Sequence, residues 1–246
     1  TKSFALTLSR DLSDSLDVNI GFSSVERLPS VIELFMNGPH MATGRLETGN
    51  PNLKGETSEN FDITVNFDNG DFYAMASFYI NDVEYYINLQ DMHDEHDEHG
   101  DDEHGDDEHD DHGDEFAHLI KANYVQDDAE FRGYEFEIGK TFNLASGDLT
   151  LSFGRDDVNA EFSDGHYVPR INPARNIYSL SYEENDWLFK LSLKDVEKQD
   201  ELAEGETLTD SYQMLNARLT KTYNLGTGKL KVSVFGTNML DEVARN

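Results

Sequence analysis

The chain has 246 residues, 37% of them hydrophobic, which is enough for one sizeable core or for part of a larger assembly. Its 50 acids against 19 bases give a formal charge of −31; this disfavours nucleic acid as a partner, since its recognition needs basic surface, and repels anionic ligands from most of the molecule. With no cysteine, neither a disulfide framework nor a thiolate metal site can form.

In chain order, the first predicted strands are 2–10 and 15–25. In the second, "LDVNIGF" sets Leu16, Val18, Ile20 and Phe22 opposite Asp17, Asn19 and Gly21. A long segment, 26–55, follows. Within it, "PSVIELF" (29–35) predicts a short helical turn with Pro at its start. In the strand 56–68, "FDITVNF" sets Phe61, Ile63, Val65 and Phe67 opposite Asp62, Thr64 and Asn66. A strand at 71–90 leads into the segment 91–115. Strands then follow at 116–142, 148–159, 174–183, 186–198, 210–223 and 229–238. "WLFKLSLK" places Trp187, Phe189, Leu191 and Leu193 on one face, and "KLKVSV" does the same with Leu230, Val232 and Val234. A period of two with one apolar and one polar face is the mark of a half-buried strand. No stretch approaches the ~20 apolar residues of a membrane helix. No leader peptide is visible, so the chain reads as a mature protein or as a piece of a longer one.

The connections carry further information. "SRDLSDS", "DNGD", "NLASG", "EEND" and "NLGTG" are tight and rich in turn residues. Long segments, about 26–55, 91–115, 160–173 and 199–209, alternate with them. In an up-and-down antiparallel sheet alternate connections fall on the same edge, so the long loops gather on one side and the short turns on the other. Outer-membrane β-barrels show that asymmetry. Alternation alone also fits a soluble β-sandwich or propeller. Three details favour the barrel. Several strands exceed the five or six residues usual in soluble sheets and reach the ~9–11 of a tilted spanning strand. The polar face is strongly charged, which suits a watery lumen. Aromatics such as Tyr73, Tyr79, Tyr85, Tyr86, Tyr178, Tyr182 and Trp187 are plentiful, as an interfacial girdle requires.

The segment "HDEHDEHGDDEHGDDEHDDHGDE" (93–115) has no apolar residue and no base. Residues 91–115 hold 15 of the 50 acids, which leaves 35 acids against 19 bases, a net −16, elsewhere. His93, His96, His99, His104, His109 and His112 recur at steps of three and five, with Asp94 and Glu95 opening the interleaved acids. Imidazole suits zinc, copper, nickel and iron, and carboxylate tolerates them all. Imidazole is mostly neutral at pH 7, so its nitrogen is available. The spacing defines no single tetrahedral site. It implies several weak, interchangeable ones on a segment that cannot build its own core. A solvated acidic run without a ligand is the plainer alternative, and the density of histidine argues against it. Calcium alone leaves the histidines unexplained. Zn2+ is therefore the leading ligand expected of the run, with other divalent metals next. His118, just beyond the run, is a candidate receiver if it faces a lumen. His40, in "NGPH", is either a loop-stabilising hydrogen-bond partner or one ligand of a defined metal site. His166 reads as an ordinary loop residue, and Glu26 and Arg27 as structural. Glu135 and Glu137 belong to the polar face, lining a vestibule or simply solvated. There is no GxSxG, HExxH, P-loop or CxxC, so no enzyme is expected.

Residues 26–67, "ERLPSVIELFMNGPHMATGRLETGNPNLKGETSENFDITVNF", resemble TonB-dependent outer-membrane receptors, which carry an "ER.PS..EL" segment followed by "GNP.L..E.S...E". "VQDDAEFRGYEFEIG" (125–139) and "FGTNMLDEVARN" (235–246) are similar to further motifs of that family, in the same order. The "NGPHMATG" variant with a His/Asp-rich loop resembles the ZnuD-type zinc receptors. The resemblance implies an all-β, antiparallel, up-and-down transmembrane β-barrel. About ten strands lie here, out of the 22 of a barrel filled by an N-terminal plug. It implies that residues 1–246 are a C-terminal part of such a barrel, matching its twelfth to twenty-first strands, with the plug, TonB box and remaining strands absent. Ten strands alone would leave two unpaired edges in lipid. The segment 91–115 is then an extracellular His/Asp/Glu-rich loop. The implied partners are a divalent metal ion, the inner-membrane TonB complex acting through the plug, and outer-membrane lipid. The implied function is energised zinc uptake across the outer membrane of a Gram-negative bacterium. A haem or siderophore receptor and a passive surface adhesin or phage receptor remain alternatives.

Overall fold

The computed structural model describes residues 1–92 and 119–244. Twelve strands and one short helix follow in chain order: β1 (Ser3–Ser13), β2 (Leu16–Arg27), α1 (Val31–Phe35), β3 (Asn37–His40), β4 (Arg45–Thr48), β5 (Glu56–Asp68), β6 (Phe72–Asp91), β7 (Ile120–Leu144), β8 (Gly147–Phe162), β9 (Arg175–Glu184), β10 (Trp187–Val196), β11 (Tyr212–Asn224) and β12 (Lys229–Gly236). They belong to one 12-stranded sheet, in the order β1-β2-β5-β6-β7-β8-β9-β10-β11-β12 with β3 and β4 off that path. The fold is all-β. The ten strands expected from alternation are present, most of their bounds within two or three residues of expectation. Short turns and long connections alternate along the chain as expected. The helical turn expected at 29–35 is α1.

The hairpin of β3 and β4 departs from expectation, because 26–55 reads as loop apart from α1. Each strand has four residues, and "NGPH" places a proline in the first, which cannot donate to a ladder. So short a run shows no period.

The chain divides into two compact units. The larger holds residues 2–25, 58–82 and 129–246. Neighbouring strands pair without slippage over long spans: β10 keeps ten consecutive partners on β9 and ten on β11. Tight turns set the register, with Asn185 at φ 51° between β9 and β10 and Gly70 at φ 95° between β5 and β6. The apolar face of this sheet is left uncovered. On strands paired on both sides, Phe78 is 57% exposed and Trp187 46%, with Ile138, Leu151, Tyr178 and Leu219 similar. A soluble sandwich would bury such a row. A lipid-facing band needs it uncovered. Ring packing ties the strands laterally: Phe136 meets Phe153 at 5.5 Å, edge on, and Phe153 meets Tyr178 at 5.0 Å. On the polar side, Tyr73 donates to Glu137 Oε1 at 2.6 Å and its ring covers Gly139, where no Cβ would fit. Tyr79 covers Gly133 in the same way. Large rings thus lie on the backbone of the adjacent strand.

The smaller unit holds residues 26–57 and 83–128 with Thr1. Ser30 caps α1: its hydroxyl accepts from the Glu33 amide, while the Glu33 side chain accepts from the Ser30 amide. Arg27 holds Glu33 through Nη1 at 3.0 Å and also pairs with Glu56. Burial pushes the Glu33 carboxyl up. The bonds from Ser30 and Arg27 outweigh it and hold the group below the usual carboxylate range. Arg27 therefore has the structural role expected of it. The backbone then turns through Met41 to Gly44, closed by Thr43 donating to the His40 carbonyl at 3.0 Å, with Gly44 at φ 65°. β4 runs parallel to the start of β7, Arg45 opposite Ile120 and Glu47 opposite Ala122.

Candidate functional site

Nine of the ten predicted metal ligands, His93, Asp94, Glu95, His96, His99, His104, His109, His112 and His118, lie outside the described residues. Among the described residues no group of three His, Cys, Asp or Glu side chains stands close enough to hold a metal ion. His40 is the predicted ligand whose surroundings can be followed.

His40 ends β3, in the smaller unit. Its Nδ1 lies 2.8 Å from Glu47 Oε1. Glu47 is 1% exposed, and three donors meet it there. Besides His40, Thr43 Oγ1 donates to Oε1 at 2.9 Å, and Tyr124 on β7 donates to Oε2 at 3.1 Å. Burial alone pushes the Glu47 carboxyl up; the bonds from His40, Thr43 and Tyr124 prevail and hold it below the usual range. Glu47 is therefore a carboxylate, which only accepts, so His40 Nδ1 carries the hydrogen. The His40 side chain is 49% exposed. His40 thus makes the loop-stabilising hydrogen bond, and its other ring nitrogen is not engaged by it.

Two residues before Glu47, on the same side of β4, Arg45 grips Asp91 at the end of β6. Nε to Oδ1 is 2.6 Å and Nη2 to Oδ2 is 2.8 Å. Ile120 donates to the Gly44 carbonyl at 3.2 Å, and Met92 donates to the Lys121 carbonyl at 2.8 Å. The backbone on either side of 93–118 is therefore held to the β3–β4 turn and to itself. Nearby, Tyr85 takes φ 58°; its amide donates to Asp128, Gln126 donates to its carbonyl at 2.8 Å, and Lys54 lies 4.3 Å from its ring centre.

Sequence reasoning missed Glu47, Thr43, Tyr124 and the Arg45–Asp91 pair. The one local signal was "RLET", whose alternation sets Arg45 and Glu47 on one side of an extended segment. In the larger unit, His166 donates from Nδ1 to Asp164 at 2.8 Å on an exposed turn, and its proton is held more tightly because of that carboxylate. This is the ordinary loop role expected of it. Glu137 sits on the polar face, as expected, engaged by Tyr73.

Comparison with known proteins gives three findings. The family described as "TonB dependent receptor-like, beta-barrel" matches residues 2–239. Over 104 residues the chain is 36% identical to a heme/hemopexin utilization protein C of Haemophilus influenzae, a match covering 37% of this chain and 14% of that protein. Among solved structures, the copper transporter OprC shares 19% identity at a TM-score of 0.73, covering 97% of this chain and 33% of its own. A ferric enterobactin receptor (PfeA) mutant from Pseudomonas aeruginosa shares 18% at 0.62, covering 98% and 35%. The FrpB iron transporter from Neisseria meningitidis shares 13% at 0.59, also covering 98% and 35%. At these identities the structural likenesses show the fold alone. The chain spans about a third of those solved chains.

Proposed function

Because the chain belongs to the TonB-dependent receptor β-barrel family, we propose that it is part of an outer-membrane receptor importing zinc into a Gram-negative bacterium, with energy from the inner-membrane TonB complex. The observation that carries this reading is the environment of His40. A half-exposed imidazole is tied through Nδ1 to a buried carboxylate, on the hairpin that also grips Asp91. Six histidines and 14 acids follow Asp91 within 93–115. That stretch gathers cations in a negative field, holds them briefly on many weak sites, and passes them to a better-formed site that includes His40. A single very tight outer site would trap the ion instead. His118 and ligands from outside this chain complete the inner site. The uncovered apolar face of the larger unit supports seating in lipid.

A second reading, haem uptake, is favoured by the likeness to the Haemophilus influenzae protein. Imidazole serves haem iron as an axial ligand. The charge of −31 opposes it, because haem propionates and ferric chelates are anionic. Growth of a strain lacking the complete receptor separates the two. Impaired growth under zinc limitation, restored by added zinc, supports zinc import. Impaired growth only with haem as sole iron source overturns it in favour of haem. Normal growth in both overturns uptake altogether and leaves a passive surface protein.

A further inference from the structure

We infer that Glu47 is a positioning residue that fixes the tautomer and ring orientation of His40, so that His40 meets the transported ion through Nε2. This rests on the reading of His40 as a ligand and adds the residue that makes it one.

A carboxylate 1% exposed is costly to bury unless donors surround it. Here they come from three separate places: the end of β3, the turn after it, and β7. The register of β4 on β7 sets Glu47 opposite Ala122, itself buried, so the carboxylate cannot shift far. Thr43 and Tyr124 orient its two oxygens, and Oε1 is left facing the imidazole. An ionised carboxylate accepts only, so the hydrogen on His40 sits on Nδ1. A neutral imidazole carries one such hydrogen, and Nε2 therefore keeps its lone pair. No described residue bonds to Nε2, and nearly half of the side chain is open. Metal-binding histidines almost always show this arrangement, one nitrogen donating to a carboxylate, a carbonyl or water and the other free to ligate. A purely structural salt link would have no use for an accessible second nitrogen.

The test uses the complete receptor in outer-membrane vesicles, with zinc alone as the probe, and compares the parent with His40→Ala and Glu47→Gln. Glutamine keeps the size of the side chain and can still accept, but its amide also donates, so it no longer dictates which ring nitrogen is protonated. Zinc uptake by Glu47→Gln is expected to need on the order of 10-fold more zinc for half-saturation, with the maximal rate kept. Nitrogen NMR of 15N-histidine-labelled receptor, in which His40 is assigned by its loss in His40→Ala, is expected to show the Nδ1–H form in the parent and a mixture in Glu47→Gln. If Glu47→Gln fails to reach the membrane, Tyr124→Phe replaces it, with a smaller shift of the same kind. If His40→Ala takes up zinc like the parent, the ligand reading falls and this inference with it. If His40→Ala is impaired while the Glu47 or Tyr124 variant keeps the parent's half-saturation and tautomer, the inference alone falls.

Discussion

Arg45 binds Asp91 through both carboxylate oxygens across 46 positions of sequence. The pair is bidentate and little exposed, which puts it well above an ordinary surface ion pair. It ties the end of β6 to the β3–β4 hairpin beside the start of 93–118.

Removing the guanidinium should loosen that junction first. Arg45→Ala leaves the Asp91 carboxylate with a lost partner, at a local cost of about 1–3 kcal/mol. Hydrogen exchange at the Met92 amide, which donates to Lys121, is expected to speed up at least tenfold, while amides in β10 keep their protection. Unchanged exchange at Met92 would show that the pair does not hold the junction.

Acid should release α1 through Glu33. Its carboxyl titrates lower in the folded chain than in the unfolded one. The stabilisation is therefore complete above the unfolded value, about 4.3, and is lost as the pH falls through the lower folded value. Amide exchange at Glu33 and Leu34, corrected for intrinsic rates, should show protection constant from pH 7 to about 5 and declining below about 4. Glu33→Gln should flatten that decline. An equal acid-induced loss in the variant would assign the effect to another group.

Gly139 should tolerate no side chain while Tyr73 covers it. Gly139→Ala is expected to destabilise the sheet by about 1–3 kcal/mol, the usual range for overpacking. Adding Tyr73→Ala should recover part of that, giving a coupling of at least about 0.5 kcal/mol in a double-mutant cycle. Urea unfolding in lipid vesicles measures it, and strict additivity would mean that the ring moves aside freely.

Replacing His93, His96, His99, His104, His109 and His112 together by Asn should weaken zinc capture without abolishing transport. A peptide of residues 91–115 is expected to bind zinc in the micromolar range with loss towards pH 5, as protonation of imidazole near 6.5 demands. The Asn version should not bind at that level. No binding by the parent peptide at millimolar zinc would remove the capture role.

The strands were legible because one-sided burial imposes a period of two. "LDVNIGF" and "KLKVSV" announce both faces within seven residues, and elsewhere turn residues such as Asn185, after β9, and Gly70, after β5, mark where strands end. The hairpin at His40 was not, since a four-residue strand containing Pro39 has no room for a period. Glu47 was hidden for a different reason. Its burial depends on a hydroxyl 77 positions away, on Tyr124, and no local pattern carries that distance. The histidines at 93–112 were conspicuous by composition, which speaks to chemistry and not to placement.

The short strand β4 bears both Arg45 and Glu47 on one side, with Leu46 on the other. Sliding it by a single position along β7 would invert those sides and forfeit both anchors together. Intermediate alignments therefore gain nothing. The seating that keeps both is the one seen, with Arg45 opposite Ile120 and Glu47 opposite Ala122.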